Sequence, residues 1–255
     1  MRGTGFIGGS WVVYRRELAN LFLQPIAWVL LALALFLNGY FFKLYLVAAG
    51  GDADLAFAYL YGSGFSWWML TLVLPPLLTM RMISEEARSG LLEFLLTAPL
   101  RDGALVLGKV LAATSFMAVL WAGAFFLAAA LAVSGASIDW TRLLLAWAGA
   151  VQGSLLFCSA GLLASALSAT PAIAAFLGMM FGAAILLAPT LVGQLTFLSS
   201  DLQRAIHQRI DLVGQVEQSF LRGLFDSSTS VFLIACSAVL LVLCTRRVEM
   251  QRWRA

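Results

Sequence analysis

An all-α membrane protein that crosses the bilayer six times is the fold this sequence predicts, on three observations. Of its 255 residues, 62% are hydrophobic and only 11% are charged, and the mean hydropathy is +0.92. A soluble domain is nearer half apolar with about a quarter of its residues charged. Several apolar stretches reach the roughly 20 residues that a helix needs to cross a hydrocarbon core about 30 Å thick. Finally, the Lys and Arg residues fall unevenly between those stretches, as they do in oriented membrane proteins.

The elements follow in chain order. Residues 6–24, "FIGGSWVVYRRELANLFLQ", carry Ile7, Trp11, Tyr14, Leu18 and Phe22 at helical spacing, with Arg16, Asn20 and Gln24 opposite. The segment is too polar to span. It is expected to lie in the membrane interface, held there by Trp11, Arg15 and Arg16; a simple extension of the first span is the competing reading. Arg15, Arg16 and Glu17 interrupt the apolar run and no small-residue cleavage site follows, so a signal peptide is not expected. Six spans are predicted at about 25–46, 66–83, 105–133, 143–168, 172–193 and 229–245. The third is long enough to tilt or to begin outside the hydrocarbon, and Lys109 near its start is expected to snorkel.

Orientation comes from the basic residues. Arg2, Arg15, Arg16, Arg81, Arg88, Arg101, Lys109, Arg246, Arg247, Arg252 and Arg254 fall on one side. Lys43, Arg142, Arg204, Arg209 and Arg222 fall on the other. The richer side is expected to be cytoplasmic, which places both termini and the 84–104 loop inside. The outer loop at about 194–228 has Leu202, Ile206, Ile210 and Val213 on one helical face, opposite Asp201, Arg204, Gln208 and Asp211. Short amphipathic helices resting on the outer surface are expected there, with Gly214 and Gly223 breaking or capping them. The chain reads as one membrane domain over 1–255, with no soluble domain and no internal repeat.

The segment at 84–100, "SEEARSGLLEFLLTAPL", concentrates Glu85, Glu86, Arg88 and Glu93 in a chain otherwise poor in charge. Ser84 is expected to cap a helix whose first turn holds Glu85 and Glu86, where the helix dipole favours negative charge. Leu91, Leu92, Leu95 and Leu96 form an apolar stripe and Pro99 ends the element. A helix of this kind either docks in a groove of another protein or rests passively on the membrane surface.

Residues 78–109, "LTMRMISEEARSGLLEFLLTAPLRDGALVLGK", resemble the "EE…GTLE-LLT-PL…GK" pattern of type-2 ATP-binding-cassette exporter permeases. The order of elements over the whole chain is similar too. The likeness is greatest to the branch of gliding-motility and copper-enzyme-maturation permeases, and "SFLRGLFDSSTSVFL" at 219–233 resembles the RG-x-x-D element of the gliding branch. The resemblance implies a coupling helix that seats in a groove of an ATPase subunit through Glu85, Glu86, Gly90, Glu93, Leu96, Thr97 and Pro99. Leu91 departs from the pattern, which usually has Thr after the Gly, and this touches the detailed docking geometry.

The resemblance further implies two ATPase copies, which carry ATP and Mg, and a second permease, either identical or related. Spans one, two and five would line a path between the permeases. It also implies residence in the bacterial cytoplasmic membrane, among membrane lipid, and an extracytoplasmic partner protein. That partner is expected at Leu202, Ile206, Ile210, Arg222 and Asp226. The chain itself is expected to be non-catalytic, with no cofactor and no metal. Competing readings are a mechanotransmission module that drives an outer partner without transport, and a secondary transporter that needs no ATPase.

Other signals point elsewhere and are set aside. "GALVLGKV" at 103–110 nearly matches G-x-x-x-x-G-K-[ST], but Val110 replaces the hydroxyl and a span follows, so nucleotide binding is not expected here. His207 is the only histidine and has no second ligand near it in sequence. Gly153-Ser154 has no span histidine to activate the Ser as a nucleophile. The span interiors hold few ionisable groups, which argues against proton or sodium coupling. Asn38, Gln152, Ser154, Ser159 and Thr190 are expected to make helix–helix hydrogen bonds. The G-x-x-x-G runs at 149–153 and 178–182 are expected to pack within the chain rather than at a dimer seam. Pro75 and Pro76 are candidates to kink span two. Cys158, Cys236 and Cys244 lie in apolar segments as small hydrophobes, without metal-ligand spacing. No Lys/Arg run suited to nucleic acid is present.

Overall fold

A computed structural model describes residues 6–90, 101–193, 211, 214–216, 219–224 and 226–252. The described residues are 87% helical and include no strand. The helices are α1 (Phe6–Leu23), α2 (Pro25–Ala48), α3 (Ala53–Ala58), α4 (Phe65–Thr79), α5 (Ser84–Arg88), α6 (Asp102–Val133), α7 (Trp140–Leu167), α8 (Pro171–Gly193) and α9 (Ser227–Arg252). A π-helical turn, Tyr59–Ser63, joins α3 to α4, and a 3-10 turn, Phe220–Arg222, precedes α9. Among the described residues, six helical units are long and apolar enough to cross a membrane: Pro25–Ala48, Ala53–Arg88, Asp102–Val133, Trp140–Leu167, Pro171–Leu191 and Ser227–Met250. The chain is a multi-pass, all-α membrane protein.

The fourth span, α7, is the axis of the bundle. Its apolar window is 78% buried, against 22–33% for spans one, three, five and six. Gly149, Ala150, Gly153, Ser154, Ala160, Gly161, Ala164 and Ser165 are all buried along it. Small residues let neighbouring backbones approach closely, and in lipid that close packing supplies much of the helix association. α4, α6, α8 and α9 all pack against α7. The outer helices leave apolar side chains exposed, among them Phe36 on α2, Phe176 on α8 and Val239 on α9.

Both G-x-x-x-G runs serve this packing. A Cβ on Gly149 would lie 2.7 Å from Phe220, and one on Gly153 would lie 2.7 Å from Trp67. On α8, Gly178 receives Pro76 and Gly182 receives Leu72, at 2.9 and 2.8 Å from the Cβ positions. Pro75 and Pro76 sit inside α4, where each removes an amide donor from the helix. They meet small residues on two neighbours: the Gly161 Cβ position is 3.3 Å from Pro76 Cα and 3.4 Å from the Pro75 carbonyl. Thr79 Oγ1 donates to that carbonyl at 2.8 Å.

The structure corrects three expectations. The second span begins before residue 66: α3 and the π-helical turn are folded in, with Ala56, Leu60 and Tyr61 wholly buried. Asp52 caps α3 by accepting from Leu55 N, and Tyr61 donates to the Trp121 carbonyl at 2.8 Å. Ser84 does not cap α5; its hydroxyl donates to the Met80 carbonyl. The cap comes from α7 instead, where Ser165 Oγ accepts from the amides of Ile83 and Ser84 at 3.2 and 3.0 Å and donates to Met80 O. One hydroxyl 81 residues away thus serves amides that a helix start would leave without partners.

The third correction concerns polar groups in the spans. Ser154 makes the expected interhelical bond, accepting from Trp121 Nε1 at 2.9 Å. Ser159 and Thr190 bond carbonyls of their own helices. The buried amide of Asn38 and the Gln152 Oε1 atom have no protein partner.

Candidate functional site

The bundle has two distinguishable ends. At one, Phe6, Gly103 and Thr245 come together, so the starts of α1 and α6 meet the last turns of α9. At the other, the Asp139 amide donates to Asp54 and Arg142 Nε donates to the Leu221 carbonyl at 2.7 Å. The candidate site lies at the first end, where α1, α5 and α6 converge.

α1 determines how these elements meet. The buried face is Gly9, Ser10, Val13, Glu17 and Leu21, packed on α6. The stripe expected to be its apolar side is turned outward at its start: Ile7 is 83% exposed, and Trp11, stacked on Tyr14 at 5.2 Å, is exposed too. Arg15 is exposed. Close approach of α1 to α6 depends on Gly108, whose Cβ position lies 2.8 Å from the Ser10 carbonyl and from Val13. Gly108-Lys109, the end of the near match to a phosphate loop, is therefore helical backbone used for packing.

Lys109 does not snorkel. It is 0% exposed. Its ammonium donates to Glu17 Oε1 at 2.9 Å and pairs with Glu86 Oε1 at 2.8 Å. Arg16 Nη2 reaches the same two carboxylates, Glu86 at 3.0 Å. Two acids and two bases make the cluster formally neutral. Moving a charge out of water costs several kcal/mol even after relaxation, so such a group persists only where counter-charges and hydrogen bonds offset it. Lys109 meets that requirement because α1 and α5 each present a carboxylate to it. Glu86 is thus turned inward, although the resemblance would put it against an ATPase.

Glu85, its neighbour, faces out. Its side chain is 58% exposed, with Arg81 at 3.7 Å as its ion partner, a pairing worth about 0–1 kcal/mol. α5 ends at Arg88 with Ser89 as its C-cap, and Gly90 follows with φ +76°, a left-handed conformation that suits glycine at a helix end. Glu93, Leu96, Thr97 and Pro99, and the Leu91–Leu92 stripe, lie outside the described residues.

The cluster has a pH signature. Burial pushes the Glu17 carboxyl up, but the Lys109 ammonium and the Arg16 guanidinium outweigh this and hold it below its ordinary value. A carboxylate held low contributes stability that is fully present above its unfolded pKa and is lost as pH falls through the folded value. The melting temperature of the detergent-solubilised chain should therefore stay level from about pH 8 to about 5 and fall below the usual carboxylate range near 4. Glu17→Gln should remove part of that fall. A Glu17→Gln protein with an unchanged acid limb would show that Glu17 is not the group responsible.

At the other end, Leu202, Ile206, Ile210 and His207 lie outside the described residues. Arg222 belongs to the 3-10 turn. Asp226 is exposed and caps α9: its carboxylate accepts from the Ser228 amide at 2.9 Å and from the Thr229 hydroxyl. Those hydrogen bonds hold its carboxyl below the ordinary value. The RG-x-x-D spacing thus ends on a helix cap. Among the described residues no three His, Cys, Asp or Glu side chains are grouped to hold a metal ion.

Sequence reasoning missed the pairing at the centre of this site. Glu17 sits at i+4 from Val13 and i−4 from Leu21, a face whose burial was legible only in retrospect from Gly9, Ser10 and Gly108. No family model matches the chain, and no curated protein matches it.

Proposed function

We propose that this chain is the membrane-spanning permease subunit of an ATP-binding-cassette exporter, driven by a separate ATPase and lacking catalysis of its own. The observation that carries the reading is the bond set of Glu86. The short helix α5, which ends the second spanning unit, is joined through Lys109 to the start of span three and through Arg16 and Glu17 to α1. A push on α5 is then passed to two other elements at once. Packed interfaces of this kind switch between discrete arrangements rather than deforming smoothly. The basic end of the bundle supports a cytoplasmic placement of α1, α5 and the described end of α9 in a bacterial inner membrane.

The working unit in this reading is two permeases, identical or related, with two ATPases that carry ATP and Mg. A mechanotransmission module is the second reading. It is favoured by the way the outer turn is held to the axial helix, through Phe220 on Gly149 and Arg142 on Leu221.

Glu85 separates coupling from folding. Glu85→Lys should abolish stimulation of the co-reconstituted ATPase and leave the melting temperature unchanged, because the residue is exposed and weakly paired. Glu86→Lys is a poorer probe, since it would set a third cation beside Lys109 and Arg16. Native purification of the tagged chain identifies the ATPase by mass and stoichiometry. A homo-oligomer that binds no ATPase, or full stimulation by Glu85→Lys, would overturn the proposal and favour a secondary transporter.

A further inference from the structure

The first part of α4, residues 65–74, lies between two breaks in span two. Before it, Gly62 and Gly64 leave helical geometry at the π-helical turn. After it, Pro75 and Pro76 bring no amide to the carbonyls of Thr71 and Leu72. Residues 65–74 are thus a piece of helix with a joint at each end, as in segments that hinge. The two parts of α4 are seated differently. At and beyond the second joint, Pro76 packs on Gly161 and Gly178, and Thr79 makes its hydrogen bond. Within 65–74, Ser66 Oγ, Trp67 Nε1 and Thr71 Oγ1 are buried without a partner from the chain. Both neighbours repeat this. On α2, Asn38 shares a face with Tyr45, whose hydroxyl accepts from the Ser66 amide at 3.0 Å, and the Asn38 side-chain amide is itself unpartnered. On α7, Gln152 Oε1 is unpartnered beside Gly153, against which Trp67 is seated.

None of these atoms is open to water in the present arrangement, and a buried polar group left without a partner is costly. Their concentration on one jointed segment and the two helices that flank it is the mark of stored strain. We propose that residues 65–74 swing as a unit away from α2 and α7, within one chain, and that water entering from the end that holds Asp54 and Asp139 supplies the missing partners. Two aromatic contacts hold the closed arrangement. Tyr45 caps the start of α4 through the Ser66 amide, and Trp68 Nε1 donates across the first joint to the Gly62 carbonyl at 2.6 Å. The opening is a population of the resting protein, set by the balance between these contacts and the unpartnered groups behind them.

The test uses the full-length chain in mild detergent with Cys158, Cys236 and Cys244 replaced by Ala, and a charged methanethiosulfonate reagent that reacts only with thiols in water. Ser66→Cys and Thr71→Cys should each be modified at least about tenfold faster than Leu78→Cys, which is buried on the same face as Thr71 but beyond the second joint. Thr71→Val keeps the shape and removes an unpartnered hydroxyl from the closed arrangement. It should raise the melting temperature and slow modification of Ser66→Cys about tenfold, the effect of relieving one such group. Asn38→Leu should act in the same direction from α2 if the first variant folds poorly. Equal rates at the three positions would mean unfolding rather than a jointed swing. That result, no reaction at Ser66→Cys and Thr71→Cys, or a Ser66→Cys rate unmoved by both apolar variants would overturn the proposal. None of these outcomes depends on an ATPase partner.

Discussion

Lys109→Met should lower the stability of the solubilised protein by about 3–5 kcal/mol, the usual effect of removing one partner from a buried ion pair. For a chain of this size that is a fall in melting temperature of roughly 10 °C. The reason lies in what remains. Glu17 and Glu86 stay buried, and Arg16 alone faces both of them. The same physics predicts rescue. The triple variant Glu17→Gln, Glu86→Gln, Lys109→Met removes every charge of the cluster except the partly exposed Arg16, and replacing a whole buried ionic group is often neutral or stabilising. Scanning fluorimetry of the parent, single and triple variants reads both effects. A single variant that melts with the parent would show that Lys109 is not held as described.

The rescued triple variant also bears on function. If the cluster only stabilises the bundle, the triple variant stimulates the ATPase as the parent does. If it carries motion between α5, α1 and α6, the variant is stable and uncoupled.

Gly161→Leu should prevent the bundle from assembling. The Gly161 Cβ position meets the Thr79 hydroxyl, which is bonded to the Pro75 carbonyl, and the backbone of Pro75 and Pro76, and that backbone cannot move aside as a flexible side chain does. Overpacking typically costs about 1–3 kcal/mol and more where no relaxation is available. Here the seam joins α4, α7 and α8, because Gly178 on α8 receives the same proline. Loss of the monodisperse peak in fluorescence-detected gel filtration is the expected result, with Gly161→Ala intermediate. A monodisperse Gly161→Leu protein of parental melting temperature would mean that the helices are not seated this closely.

Much of the architecture was legible in the sequence because it depends on local quantities. Span lengths and the G-x-x-x-G packing follow from apolar run length and residue size, which a bilayer reads directly. The α3 segment was missed for the converse reason. "ADLAFA" is short and carries Asp54, so its burial rests on contacts with other helices rather than on its own hydropathy. Ser84 was expected to cap its own helix, and the competing acceptor, Ser165, is invisible to any local rule.

By itself, the sequence determined that the chain is an all-α, multi-pass membrane protein with one basic end, because hydropathy and charge act on each segment independently of the rest. Only the tertiary structure decided which groups share a site. Glu17, Glu86 and Lys109 are separated by up to 92 residues along the chain, and each taken alone reads as a surface charge. Their meaning comes from burial together, because a charge removed from water can be held only by charges that folding brings to it.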